Sequence, residues 1–171
     1  MFKKPTIDGW VDFTIKSKRG LNIEKREVLE GEASYTIDIP MEVLTAAIAA
    51  LKDDIPFSFT IDEEGPGYLY YSCQGNVLHI KPESGDKTYT FNIEKCELIA
   101  EIVGDIERDI DDWADWACVH VENRKEVLLE KIKEVKVLLE TQASVGNNKK
   151  VSKLSEATIR KLAKSIGVAV L

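Results

Sequence analysis

The apolar residues of this chain change their spacing near Glu94, and this change constrains the fold more than any other feature. Between residues 57 and 93 apolar and polar residues alternate, which is typical of strands with one buried face. From about residue 94 the apolar residues recur at every third or fourth position, which indicates helices. Strands followed by long helices predict an α+β fold, because an α/β fold would interleave the two.

Four strands joined by short connections are predicted in the alternating part. Their core-facing sets are Phe57, Phe59 and Ile61; Leu69, Tyr71 and Cys73; Leu78 and Ile80; and Tyr89, Phe91 and Ile93. Gly75-Asn76 is typical of a two-residue hairpin loop. Since strands joined by such short connections run in opposite directions, the region predicts an antiparallel meander.

The residues before this meander predict two further strands and a helix. Alternation predicts the first strand across residues 10–16. Residues 17–33 are charged and contain two glycines, so we expect a long loop or a ragged strand there, followed by a second strand across 35–39. Pro40 suits the first position of a helix, and this helix is expected to end near residues 52–54.

Two long helices are predicted after the meander. The first extends over about 94–118, with its apolar residues on one side. The second extends over about 122–142, where the apolar residues from Leu128 to Leu139 follow a 4-3-4 spacing. We expect the two helices to form an antiparallel pair that packs on the sheet.

The expected architecture is α+β: an antiparallel meander sheet of about five or six strands, one short and two long helices, and a C-terminal amphipathic helix. We expect a single domain across 1–143, with the strands and one helix in 1–93 and the helical pair in 94–143. Residues 144–152 contain one glycine, two asparagines and two lysines, and they predict a linker. A basic amphipathic helix is expected across 153–171.

Composition limits the classes of partner. The 171 residues carry a formal net charge of −7, which disfavours nucleic acid because phosphates need a basic surface. We find neither a signal peptide nor a run of about eighteen apolar residues, so we expect a cytoplasmic location and no membrane partner. Cys73, Cys96 and Cys118 form no CxxC pair, which predicts free thiols rather than disulfides or a zinc site.

Charge is unevenly distributed along the chain. Residues 93–118 contain nine acidic and two basic residues, a net charge of −7, whereas residues 119–171 contain six acidic and eleven basic residues, a net charge of +5. One side of the first long helix carries an acidic row, which consists of Glu97, Glu101, Asp105, Asp109 and Asp112. Neighbouring like charges of this kind destabilise a helix by a few tenths of a kcal/mol per pair. The presence of several such pairs therefore needs an explanation.

Four interpretations of the acidic row are open. It is a solvated face, a surface for a basic protein, a contact for the basic tail, or a metal site. A single helical row cannot surround an ion, so we expect neither a metal nor another cofactor. Trp116 lies at the edge of the apolar stripe, and it is either an exposed interface anchor or a ring covered by the second helix.

The polar face of the meander contains a second group of candidates. The predicted hairpin places Ser72 directly opposite His79, with Tyr70 nearby. A catalytic serine also needs an orienting carboxylate and an oxyanion hole, and the local sequence supplies neither. Tyr68 and Lys81 are expected on the same face, and an exposed sheet face with aromatic residues can bind a peptide, single-stranded RNA or a small ligand. The acidic composition argues against RNA.

Three functions follow from these features. The leading hypothesis is a protein-binding module, of an inhibitor or immunity type, that captures a basic protein through Glu101, Asp105, Asp109, Asp112 and Trp116. The first alternative is a small-ligand binding protein that uses Tyr70, Ser72 and His79 or a pocket between sheet and helices. The second alternative is an enzyme with dispersed carboxylates; because no catalytic motif is present, we expect no enzymatic activity.

Overall fold

The structure, a computed structural model, confirms the α+β class. It describes residues 1–6, 8–17, 28–63, 67–84, 86–116 and 122–165, with side chains as far as Ser144. The elements are β1 (Trp10–Lys16), β2 (Val28–Ser34), α1 (Ile39–Lys52), β3 (Phe57–Asp62), β4 (Tyr68–Gln74), β5 (Val77–Pro82), β6 (Tyr89–Asn92), α2 (Lys95–Arg108), α3 (Ile110–Ala114) and α4 (Arg124–Ser165). Strands β1 and β2 form one antiparallel sheet, and β3–β4–β5–β6 form another in that order.

The predicted meander is confirmed as the four-stranded sheet. Gly75 adopts φ +57°, a value that glycine reaches without strain, and this tight turn sets the β4–β5 register. One face of the sheet is buried and contains Phe57, Phe59, Ile61, Leu69, Tyr71, Cys73, Leu78, Ile80 and Phe91. The opposite face, called here the outer face, contains Ser58, Thr60, Asp62, Tyr68, Tyr70, Ser72, Gln74, Val77, His79, Lys81, Thr90 and Asn92.

The first strand agrees with the prediction, whereas the second was placed wrongly. Strand β2 ends at Ser34. Residues 35–38 of the predicted strand form a turn that leads into α1, and Ile39 is already the first residue of that helix. The reason is a helix cap: a carboxylate oxygen of Asp38 accepts a hydrogen bond of 3.3 Å from the Met41 N–H, so the helix begins directly after it. Residues 18–27 of the predicted loop lie outside the described part of the chain.

The first long helix is interrupted instead of continuous. Helix α2 ends at Arg108, and Asp109 leaves the helical conformation with φ −113° and ψ 36°. The Arg108 guanidinium holds the Asp109 carboxylate at 2.7 Å, and Asp is a poor helix former. The short helix α3 then follows, and residues 117 and 118 lie outside the described residues.

The last helix is longer than predicted. Helix α4 begins at Arg124, close to the predicted start, and continues through the predicted linker at 144–152 as far as Ser165. The linker prediction rested on turn-forming Gly and Asn residues, but a single glycine costs a helix only about 1 kcal/mol relative to alanine. The predicted helix at 153–171 is therefore the continuation of α4 as far as residue 165.

Helix α4 runs parallel to α1. Near its start, the Arg124 guanidinium donates to both carboxylate oxygens of Asp38 at 2.7 and 2.6 Å. Further along α4, the Gln142 amide donates to the Leu51 carbonyl oxygen, close to the end of α1, at 3.1 Å. Helix α4 also packs on α2 and α3, so the expected helical pair is part of a larger helical layer.

We predict that alanine substitutions at two neighbouring leucines of α4 will differ in their effect on stability. The helix propensity changes equally in both variants, but only one of the two leucines is buried. Leu128 is fully buried, whereas its neighbour Leu129 is 39% exposed. Leu128→Ala should lower the free energy of unfolding by about 2–5 kcal/mol because it leaves a cavity. Leu129→Ala should change it by less than about 0.5 kcal/mol. Denaturant unfolding of both variants checks this, and equal losses would contradict the docking of α4 described here.

Candidate partner-binding surface

The acidic row does not remain a free surface, because Asp105 is a buried structural residue. Its side chain is only 12% exposed. One carboxylate oxygen accepts the Phe2 N–H at 2.8 Å and the Met1 amino group at 2.6 Å, and the other accepts Arg108 at 2.6 Å. Asp105 therefore joins the N-terminal segment to α2.

The other partner-binding candidates on the row also have partners within the fold. Glu101 contacts the Met1 amino group at 2.8 Å. Asp109 accepts two hydrogen bonds from Arg108, at 2.9 and 2.7 Å, and Asp112 pairs with Lys4 at 3.1 Å. Hydrogen bonds to Asp109 first and Asp105 second raise the pKa of Arg108.

Trp116 is buried, so the hypothesis of an exposed anchor is wrong. The residue is only 3% exposed, and its indole N–H donates to the Ile37 carbonyl oxygen at 3.3 Å. Its ring lies 5.2 Å from that of Trp113, which in turn contacts Phe2 edge-on at 5.7 Å. A straight helix wheel places Trp113 inside the apolar stripe but Trp116 only at its edge, so the burial of Trp113 was predicted and that of Trp116 was left open.

The second group of candidates lies where the sequence predicted. Ser72 and His79 are register partners in β4 and β5. Ser72 accepts a hydrogen bond of 3.1 Å from the Ser58 hydroxyl, and His79 Nδ1 lies 3.2 Å from the Thr90 hydroxyl. The hydroxyls and the imidazole thus form a cross-strand polar ladder, and their contacts stabilise the sheet.

Tyr70 belongs to an exposed pair of aromatic rings on the outer face. Tyr68 is 38% exposed and Tyr70 is 44% exposed. Their ring centroids are 6.4 Å apart and the ring planes are inclined by 38°. The sequence pattern places both tyrosines on this face, because they are two residues apart in β4.

Three cavities are lined by described residues, and Tyr70, Ser72 and His79 line none of the three. One, of about 390 Å³, lies between the N-terminal segment, the end of β1 and α2. A second, of about 400 Å³, lies where α1 ends and α2 begins. In its wall Lys95 donates to Asp54 at 3.0 Å and to the carbonyl oxygens of Ile55 and Ala50 at 3.2 and 3.3 Å. The third, of about 330 Å³, lies on the β1–β2 sheet.

Two of the three cysteines are described, and both are free thiols. The Cys73 thiol donates to the Ile93 carbonyl oxygen at 3.6 Å. Burial, aided by the charge of Glu94, raises the pKa of Cys73 to about 11. Burial and the same carboxylate raise the pKa of Cys96. Cys118 lies outside the described residues, so its predicted state is not tested.

Comparisons with known proteins found no matching family model, no matching curated protein and no matching solved structure. Among the described residues, no group of three or more His, Cys, Asp or Glu side chains is arranged to hold a metal ion. No helix in that part of the chain is both long and apolar enough to cross a membrane.

We predict that Asp105 and Asp112 differ sharply in their contribution to folding. Asp105→Asn should lower the free energy of unfolding by about 1.5–3 kcal/mol, because charged hydrogen bonds in a mostly buried site are lost. Asp112→Asn removes a partly exposed pair and should cost less than about 1 kcal/mol. Chemical denaturation measures both. If Asp105→Asn leaves the free energy of unfolding unchanged, the carboxylate is dispensable for folding, and Asp105 would again be a candidate for partner binding.

We predict that Cys73 resists alkylation in the folded protein. With a pKa of about 11, roughly one thiol in a thousand is ionised at pH 8, against about a quarter in the unfolded chain. Alkylation by iodoacetamide should therefore be at least about a hundredfold slower before unfolding than after. Peptide mass spectrometry of time points gives the rate at this residue. Rapid labelling of the native protein would contradict the buried placement.

Proposed function

We propose that the protein is a protein-binding module that recognises its partner through the outer face of the four-stranded sheet. The observation that carries this proposal is the exposed pair of Tyr68 and Tyr70 on an open sheet face. Tyrosine provides a large contact area and loses little conformational entropy on binding, and it is enriched at protein interfaces.

The sheet holds this face rigidly. The two tyrosines are two residues apart on β4, and the pairing of β4 with both neighbouring strands holds that strand in place. The buried side of the same strand contributes Tyr71, whose ring stacks on Phe59 with centroids 4.5 Å apart. Rigid positioning favours binding, because few side chains need to be ordered when the partner arrives.

The exposed tyrosine pair favours a protein over a small ligand as the partner. Small-molecule sites are concave, and Tyr70, Ser72 and His79 line none of the three cavities described above. The net charge of −7 disfavours nucleic acid. The same charge steers basic proteins towards the surface, as expected of an inhibitor or immunity-type protein that captures a basic target.

The acidic row is not part of the proposed binding surface, although the sequence suggested it. Asp105 and Asp109 have side chains that are only 12% and 15% exposed, so a partner cannot contact them fully. Glu101 and Asp112 are more accessible, but each already pairs with a cation of the N-terminal segment. The row therefore mainly stabilises the fold, and its negative charge also contributes to the electrostatic potential around the protein.

We predict that a photo-cross-linking amino acid will capture the partner from the outer face. With p-benzoylphenylalanine at position 70, in cells that produce the protein naturally, a specific cross-linked protein should form. The matched control is position 35, where the tyrosine is 39% exposed and lies beside Gly9, in the turn between β2 and α1.

The cross-link should weaken when Tyr68 is replaced by alanine in the protein that carries the cross-linker at position 70, because the neighbouring ring contributes contact area. Equal capture from positions 35 and 70 would indicate non-specific contact. Capture from position 101 or 112 alone would move the binding surface back to the acidic row.

A further inference from the structure

We infer that the cavity of about 390 Å³ beside the N-terminal segment is a binding site for a small aliphatic carboxylate. Sites for small molecules have volumes of about 300–1,000 Å³, so a cavity of this size suits a small ligand. No residue of the outer face lines this cavity, and the inference is therefore independent of the proposed function.

Part of the cavity wall is apolar. Four core side chains, each at most 5% exposed, line it together with the partly buried Met1. These four are Phe2, Ile15, Ile93 and Leu98. They come from the N-terminal segment, β1, the connection after β6 and α2, so the cavity lies where separate parts of the fold meet. Because covering apolar surface is favourable in water, this wall favours a ligand with an aliphatic group.

Lys16 supplies the cavity with a positive charge that no carboxylate of the fold neutralises. Lys3 also lines the cavity, but it pairs with Asp12 at 2.8 Å. Glu101 in the wall pairs with the Met1 amino group at 2.8 Å. Lys16 has no such partner among the described residues. An ammonium group of this kind can form a charge-assisted hydrogen bond with an incoming carboxylate.

Two further donors lie beside the Lys16 ammonium. The Thr14 N–H donates to the Met1 carbonyl oxygen at 2.9 Å. Since alternate residues of a strand direct their N–H groups to the same edge, the Lys16 N–H faces that edge too. The Ser17 hydroxyl oxygen accepts the Asn92 N–H at 3.4 Å, which leaves the hydroxyl proton available for donation. Two consecutive residues thus offer an ammonium, an amide and a hydroxyl donor.

A singly charged carboxylate fits this set better than other polar groups. A cationic ligand would meet the ammonium groups of Lys16 and Lys3 in the wall. A phosphate carries more negative charge than a carboxylate, and Glu101 in the same wall would repel it more strongly. The donors and the apolar wall together therefore point to a molecule with one carboxylate and a short aliphatic chain.

The walls of the cavity are held in place without a ligand. The Phe2 N–H donates to Asp105 at 2.8 Å, and the Met1 amino group donates to the same carboxylate at 2.6 Å. The bond from Asn92 to Ser17 connects the end of β1 to β6. A site of this kind costs little to order when the ligand binds.

The test is an NMR titration of the full-length ¹⁵N-labelled protein with hexanoate, and with hexan-1-ol and hexylammonium as probes that lack the carboxylate. Hexanoate should shift the amide signals of Lys16, Ser17 and Ile93, and it should bind more tightly than either control. Equal binding of hexanoate and hexan-1-ol, or shifts confined to other residues, would overturn the inference.

Chain length tests the role of the apolar wall. From butanoate to hexanoate, each added methylene group should tighten binding by about two- to fourfold. Binding that does not change with chain length would mean that the carboxylates only contact surface charge, and it would refute the cavity as the site.

A pair of lysine variants tests the role of the charge. Lys16→Met keeps the aliphatic part of the side chain and removes the ammonium. It should weaken hexanoate binding by about two- to fivefold and remove most of the preference for hexanoate over hexan-1-ol. The matched control is Lys133→Met, because Lys133 is an exposed residue of α4 that also lacks an ion-pair partner among the described residues. An equal loss in both variants would indicate non-specific attraction and overturn the site.

Discussion

The mostly buried carboxylate of Asp105 is the interaction on which much of this fold depends. A buried charge is tolerated only when it is paired and hydrogen-bonded, and here its partners come from the first residues of the chain and from Arg108. The pairing holds the N-terminal segment against β1, where Phe2 bridges to Phe13. Arg108 also holds Asp109, where α2 ends, so one charge network fixes both the first strand contact and the helix break.

The helical side and the sheet side of the molecule differ in the residues that they expose. Carboxylates of α2 and α3 are largely committed to partners within the chain, including Lys125 and Lys136 of α4. On the outer face of the four-stranded sheet, the exposed rings of Tyr68 and Tyr70 are supported by strands whose other side is core. Charge therefore stabilises the helical side of the molecule, while the sheet side presents the aromatic surface that we propose for recognition.

The parts predicted from the sequence are those that depend on local periodicity. Alternation located β3 to β6, and the Gly75 turn correctly paired Ser72 with His79. The break at Asp109 was missed because it depends on contacts with Arg108, and the burial of Trp116 follows from that break. Alternation also placed Tyr68 and Tyr70 together on the outer face, whereas the distance between their rings required the structure.

The parallel docking of α4 on α1 has a consequence for how the chain folds. Asp38 and Arg124 are 86 residues apart in sequence, so their contact closes a long loop and forms slowly compared with the hairpins of the meander. During synthesis, the side of α1 that α4 covers has no partner until the last third of the chain has left the ribosome. The nascent chain is therefore most exposed to aggregation, and most dependent on chaperones, in the interval between the completion of the sheet and the arrival of α4.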